Sequence, residues 1–181
     1  MQAFDRAPEV MTERLCLRAL RVEDFDVFFA MRSDPRLAVG GVVETREEAW
    51  SRLLRARGHW AVLGFGYWAL TERASGRFVG EAGFIDFRRD VQPSLDGTAE
   101  AGWMVIAERQ GLGYAGEAVA AMLAWGAANI PRELATCMIA PDNAPSIAVA
   151  RRAGFRSYAE ATYRGAPVTL YRRRLRAASD T

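Results

Sequence analysis

The segment Thr12–Leu20 alternates apolar and polar residues, which is the period of a half-buried strand. The period then lengthens. Arg21-Val22-Glu23-Asp24 opens a helix in which Val22, Phe25, Phe28 and Phe29 share one face; it runs through Met31, and Asp34-Pro35 ends it. Ala38–Val43, with Gly40 and Gly41 inside it, reads as a flexible piece. Thr45 caps the next helix, with Glu48 completing a capping box, and that helix carries Trp50, Leu53 and Leu54 to about Gly58.

Strand-like runs follow at Phe65–Thr71, Arg77–Phe87 and Thr98–Ile106. A turn at Ala74-Ser75-Gly76 separates the first two, and the polar, Pro/Gly-punctuated stretch Arg88–Gly97 forms a longer hairpin loop before the third. A helix over Gly113–Asn129 then presents Ala115, Ala118, Val119, Met122 and Gly126, a small-residue face able to lie close to a sheet. Glu133–Ile139 reads as a buried strand, and Pro141-Asp142-Asn143 starts a short helix that stops at Gly154. Two closing strands meet at the turn Arg164-Gly165-Ala166-Pro167. With no repeat and no linker, the order predicts one domain over 1–181 of the α/β (α+β) class. Its mixed sheet has about six to seven strands, with about four helices on its faces.

Composition narrows the function classes. The 181 residues are 50% hydrophobic and 25% charged, ordinary for a globular domain. No apolar run approaches the ~18 residues of a membrane helix, and Met1–Pro8 lacks the apolar core of a signal peptide, so a soluble cytoplasmic protein with no membrane partner is expected. A net charge of +2 argues against a nucleic-acid partner. The dense basic cluster Arg172-Arg173-Arg174 with Arg176 reads as an outer strand end and a solvated tail, or else as a contact for phosphates or an acidic partner. Cys16 and Cys137 fit no metal or redox spacing. The single histidine, His59, without clustered cysteines, gives no metal site and reads as structural.

Candidate chemistry begins at Gln110-Gly111-Leu112-Gly113-Tyr114-Ala115-Gly116, between a strand end near Ile106 and a helix start. Such an element aims free backbone N–H groups at one point, where the helix dipole adds positive charge, and a pyrophosphate fits there. A side chain at Gly111 or Gly113 would obstruct the anion and the backbone angles, and Arg109 could add a charge-assisted contact. The same pattern is also a common helix-entry turn. A second helix start follows at Asn143, an N-cap with Ser146 three residues on; this is either a plain cap or polar groups at a strand's C-terminal end, where open α/β sheets bind ligands.

In order, Thr12–Arg18, Thr45–Trp50, Gly76–Phe84, Ala99–Val105, Gln110–Ala118, Asp142–Ser146 and Arg152–Phe155 resemble the GNAT acetyltransferase superfamily over about residues 12–175. The nearest branch is similar to ribosomal-protein N-terminal (RimJ/RimL-like) acetyltransferases. The resemblance implies a twisted sheet that splays between the Thr98–Ile106 and Glu133–Ile139 strands. Acetyl-CoA would enter the gap, its pantetheine pairing with backbone near Met104, Val105 and Ile106. Its pyrophosphate would meet N–H groups of Arg109, Gln110, Gly111, Leu112, Gly113, Tyr114 and Ala115. It also implies that Asn143 contacts the cofactor and that Ser146 lies near the sulfur. The chain departs from the family's usual loop at Glu108 and Gly116.

The implied reaction is direct transfer of the acetyl group to a primary amine of a small molecule or peptide. An alkylamine is mostly protonated at neutral pH, so a carboxylate helps. Glu100 is the candidate base, with Glu81 the alternative, and Ser146 or a tyrosine the candidate acid. The tyrosines weighed are Tyr114, Tyr158, Tyr163 and Tyr171. Phe29, Met31, Trp50, Trp60, Phe84 and Trp103 are candidates for the acceptor pocket, most of them core. A homodimer through the strands near Tyr158–Arg174 is open. The rival reading from another class is a non-catalytic acyl-CoA-binding sensor.

Overall fold

The computed structural model describes residues 7–38 and 42–176. Val39, Gly40 and Gly41 of the expected flexible piece, and the tail beyond Arg176, lie outside the described residues. The strands are β1 (Val10–Met11), β2 (Leu15–Arg18), β3 (Tyr67–Glu72), β4 (Phe78–Ile85), β5 (Ala99–Val105), β6 (Leu134–Ile139), β7 (Arg156–Tyr163) and β8 (Ala166–Arg174). The helices are α1 (Phe25–Arg32), α2 (Arg46–Leu63), α3 (Tyr114–Asn129) and α4 (Ala144–Arg152). One mixed sheet holds all eight strands in the order β1-β2-β3-β4-β5-β6-β8-β7. The strand beyond the expected count is β1, two residues pairing Val10 with Leu17 and Met11 with Cys16.

The capping box at α2 forms as its sequence dictates: the Thr45 hydroxyl accepts from the Glu48 N–H, and the Glu48 carboxylate accepts from the Thr45 N–H at 2.8 Å. The helix continues past Gly58, where an added Cβ would meet nothing, and stops at Gly64, whose left-handed φ of 73° is the C-terminal signal.

Two apolar layers sandwich the sheet. On one side α3 lays Ala118, Val119 and Met122 against Leu17, Trp68 and Phe84. Gly126 permits that approach, because a Cβ there would lie 2.7 Å from the Phe84 ring. On the other side α1 and α2 pack Phe28, Met31 and Leu53 against Ala69 and Phe78. Trp60, though on α2, turns its ring to Trp68 and Trp125 at 4.7 and 5.3 Å. Trp60, Phe84 and Trp103 thus belong to the α3-side core, in line with most of these candidates being core residues. Met31 is core on the α1/α2 side, and only Phe29 and Trp50 keep real exposure there.

The feature that positions the site is a break in the sheet. Strands β4 and β5 pair along six positions, from Gly80↔Val105 to Ile85↔Glu100. The parallel strands β5 and β6 pair only at Ala99↔Ala135 and Glu100↔Thr136, then part. From Ala101 onward β5 has an open backbone edge toward β6.

Candidate active site

The gap is bordered by β5, and strand alternation fixes which backbone groups face it. The Ile106 N–H donates to the Val79 carbonyl at 3.0 Å. A Cβ on Gly80 would lie 2.1 Å from the Met104 carbonyl oxygen. Met104 and Ile106 therefore turn their polar groups to β4, and Trp103 and Val105 turn theirs to the gap. Of Met104, Val105 and Ile106, where backbone contacts are expected, only Val105 turns its backbone groups to the gap, and Trp103 two residues upstream does the same. Gln110 also reaches this edge, its side-chain amide donating to the Val105 carbonyl at 3.2 Å.

At the gap's mouth, Ala107–Arg109 form a 3-10 turn. That turn uses the Arg109 N–H on the Ile106 carbonyl and the Gln110 N–H on the Ala107 carbonyl, at 2.9 and 3.3 Å. These two amides are thus not available to an anion, contrary to the expectation for them. Gln110 and Gly111 form a tight turn that aims the Leu112 N–H back toward Arg109. The other backbone N–H groups from Gly111 to Gly116 have no protein acceptor among the described residues, and no side chain caps α3. Gly111 and Gly113 hold φ of 77° and 83°, a conformation that strains any other residue by about 1–2 kcal/mol. Several free amides at one helix N-terminus form an anion site.

Side chains brace this loop. Arg14 donates to the Leu112 carbonyl at 2.8 Å and to Glu117 at 2.7 Å, so a cation stands beside the free amides. The Arg109 side chain pairs with Glu72 at 3.1 Å, and the Tyr114 hydroxyl donates to the same carboxylate at 2.9 Å. Glu108 pairs with Arg36 at 2.5 Å. Across the gap, the Asn143 side-chain oxygen accepts from the Ser146 N–H at 3.1 Å and caps α4. The half-buried Ser146 hydroxyl has no protein partner among the described residues.

The α1/α2 face of the sheet carries a polar floor. Met104 packs against the α1/α2 cluster, so Glu100 and Gly102 on the same strand face, and Glu81 paired with Met104, lie on this side. Glu100 is 6% exposed, and both its oxygens accept from Arg89 Nε at 2.8 Å. Glu81 is 2% exposed; one oxygen accepts from Arg32 at 3.2 Å, while Oε2 and the neighbouring Arg32 Nε have no partner among the described residues. Arg32 also pairs with Glu44, which Arg52 holds from its other side.

Tyr67 lies across this floor. Gly83 and Gly102 are cross-strand partners. A Cβ on Gly83 would come within 2.6 Å of the Tyr67 Cα, and one on Gly102 within 1.8 Å of its hydroxyl. The two glycines are a trough for the tyrosine. Burial, then Glu81 and Glu100, push its pKa well above the ordinary tyrosine range, so it is a protonated donor at neutral pH. Sequence reading missed Tyr67. The legible signal was a glycine on each of two adjacent strands, Gly83 and Gly102, which needs the register to interpret.

Other residues fall outside this arrangement. His59 packs on Phe87 at 5.3 Å, and burial lowers its pKa. Cys137 is buried and its thiol is pushed up by burial. Among the described residues no three acidic, histidine or cysteine side chains gather as a metal site, and no helix is long and apolar enough to cross a membrane.

A parted parallel pair, an anion cradle beside it and a polar floor on one face suit a ligand with a phosphate group and an extended, amide-bearing arm. The sequence matches the family described as acetyltransferase (GNAT) domain over residues 14–156. The chain belongs to the GNAT acetyltransferase family. This GNAT protein is 36% identical to a GnaT-family acetyltransferase of known structure from Bordetella pertussis, with a TM-score of 0.82, covering 92% of this chain and 99% of that one. An acetyltransferase from Agrobacterium tumefaciens str. C58 is 25% identical at a TM-score of 0.80, covering 92% and 94%. The ribosomal L7/L12 alpha-N-protein acetyltransferase RimL, solved with coenzyme A, shares the fold at 17% identity and a TM-score of 0.74, covering 92% and 98%. The GNAT chain is an acyltransferase that uses acetyl-CoA as its donor, and its second substrate is an amine acceptor.

Proposed function

We propose that this GNAT enzyme moves the acetyl group of acetyl-CoA directly to a primary amine across the β5/β6 gap. The observation that carries the reading is the coincidence of that gap with the free amides of the Gly111–Gly116 loop. In this reading the amides hold the pyrophosphate, Trp103 and Val105 pair with the pantetheine, and Asn143 lines the opposite wall. The thioester then lies against the stretch of β5 that faces Tyr67, Glu81 and Glu100.

The acceptor approaches from the α1/α2 side. Glu100 takes the ammonium proton, directly or through water, and the neutral nitrogen forms the new C–N bond as the C–S bond breaks. The thiolate takes a proton from Ser146 or from a tyrosine, and the second proton shed by the acylated nitrogen restores that hydroxyl, directly or through water. The tyrosine we assign is Tyr67, because its protonated hydroxyl lies over Gly102 on the strand that borders the gap. A second reading makes Glu81 the proton acceptor, favoured by its unpartnered Oε2 where Glu100 has Arg89 on both oxygens.

An acetyl-transfer screen over amines and peptides tests the proposal by following thiol release and product mass together. Acetylated amine with equimolar free CoA supports it. Tight CoA binding with no amine acetylated supports the sensor reading instead.

A further inference from the structure

We infer that the acceptor carries an oxyanion, carboxylate or phosphate, within a few bonds of its amine, held by an arginine–aromatic ladder that rises from Glu100 to the rim of the acceptor side. The inference rests on the acetyl-transfer reading and names the substrate class for the same site.

The ladder draws on three parts of the chain. Arg55 from α2 and Arg89 from the loop after β4 each stand 4.9 Å from the Phe87 ring. Arg89 and Arg164 stand 4.9 and 5.4 Å from the Tyr163 ring at the end of β7. Rings shared in this way keep successive guanidiniums within about 10 Å of each other, one Debye length at ordinary ionic strength. At the foot of the ladder Arg89 holds Glu100, which pairs with Thr136 at the last contact before β5 and β6 part.

The charges along it do not balance. Arg89 is matched by Glu100, and the adjacent Arg52 by Glu44. Arg55 and Arg164 are exposed, and among the described residues neither makes a salt bridge or a side-chain hydrogen bond. Burial, most of all, lowers the pKa of Arg55; Arg52, Arg89 and Arg164 add to this while Glu44 opposes it, so the cationic neighbours repel one another. An oxyanion at this end of the ladder, within reach of Arg55 or Arg164, relieves that repulsion, and stacked guanidiniums present fixed N–H edges suited to binding one.

Backbone geometry at Arg164 points the same way. Arg164 and Gly165 have φ of 51° and 80° in the two-residue connection between β7 and β8. Such a hairpin turn favours Asn-Gly, and arginine at the first position is strained. Local turn chemistry therefore does not account for arginine here, whereas a ligand contact does.

The test measures kcat/KM with acetyl-CoA for matched amines: O-phosphoethanolamine against ethanolamine, and β-alanine against 3-aminopropanol. The two pairs separate phosphate from carboxylate as the preferred anion. The wild-type enzyme should favour the anionic member of at least one pair by tenfold or more, with the preference shrinking as salt is added. Arg55→Gln and Arg164→Asn should each cut that anionic-to-neutral ratio by about tenfold. Arg164→Asn also relieves the turn, so its denaturation midpoint should rise while its selectivity falls, a combination that misfolding cannot produce. Equal rates for both members of each pair, or a ratio unchanged in both variants, overturn the inference while leaving acetyl transfer intact. If no amine is acetylated, the transfer reading itself has failed and this inference fails with it.

Discussion

Gly102→Ala puts the tyrosine trough to a quantitative test. The new Cβ would lie 1.8 Å from the Tyr67 hydroxyl and 3.0 Å from the ring carbon that bears it. An unstrained contact needs roughly 3.5 Å, so the hydroxyl must retreat by more than an ångström. Retreat is limited because the ring is already tight against Gly83, where even a Cβ would come within 2.8 Å of its Cδ1. Overpacking of this kind costs about 1–3 kcal/mol. Tyr67→Phe alone should cost little, since no protein group accepts from that hydroxyl among the described residues. With the oxygen gone, the nearest remaining atom is the ring carbon at 3.0 Å, which needs to give by only a few tenths of an ångström. The double variant should therefore recover most of the loss, with a coupling of about 1–2 kcal/mol. Urea unfolding of the four proteins, with m-values checked for constancy, measures it. Additive single effects, or a neutral Gly102→Ala, would show that Tyr67 does not lie on Gly102.

Further outcomes follow from the same structure. Glu100→Gln should lower turnover mainly near neutral pH, with partial recovery as pH rises; a pH–rate profile that matches wild type removes Glu100 as base, and Glu81→Gln then becomes the variant to compare. Ser146→Ala retaining full turnover removes Ser146 as the acid and leaves Tyr67. Gly113→Ala, forced to φ near 83°, should weaken CoA binding by about tenfold, read by titration calorimetry; unchanged affinity would clear the loop of a role. Burial raises the Glu44 carboxyl, but the Arg32 and Arg52 guanidiniums outweigh it and hold its folded pKa below the ordinary value. Its contribution is thus fully present above the unfolded carboxylate pKa, about 4.3, and is lost as pH falls through the lower folded value. Glu44→Gln should cost about 1–3 kcal/mol at neutral pH, a difference that closes under acid; a difference independent of pH would contradict the ion-pair account.

Local chemistry was the legible part of this fold. The Thr45/Glu48 box, the glycine loop and the Asn143 cap are signals carried within a few residues, and each element starts where those residues require. The end of α2 was misplaced because Gly58 and Gly64 look alike in sequence; only Gly64 adopts the left-handed turn. The parting of β5 and β6 leaves no mark in apolar period, since both strands read as buried, and it came through resemblance alone. Partners from distant loops were not legible either. Arg89 sits in a polar stretch that reads as a plain hairpin, yet it holds Glu100. Trp60 lies beyond the expected end of α2; its indole N–H donates to the Tyr67 carbonyl at 3.0 Å and its ring packs in the α3-side core.

Hydrogen exchange with and without acetyl-CoA tests most directly whether the gap between β5 and β6 is the cofactor site. Saturating acetyl-CoA should slow exchange at the amides from Gly111 to Gly116 and at Trp103 and Val105, while the β7–β8 hairpin stays unchanged. Binding that leaves both segments unprotected, or that protects only the hairpin, would contradict the account.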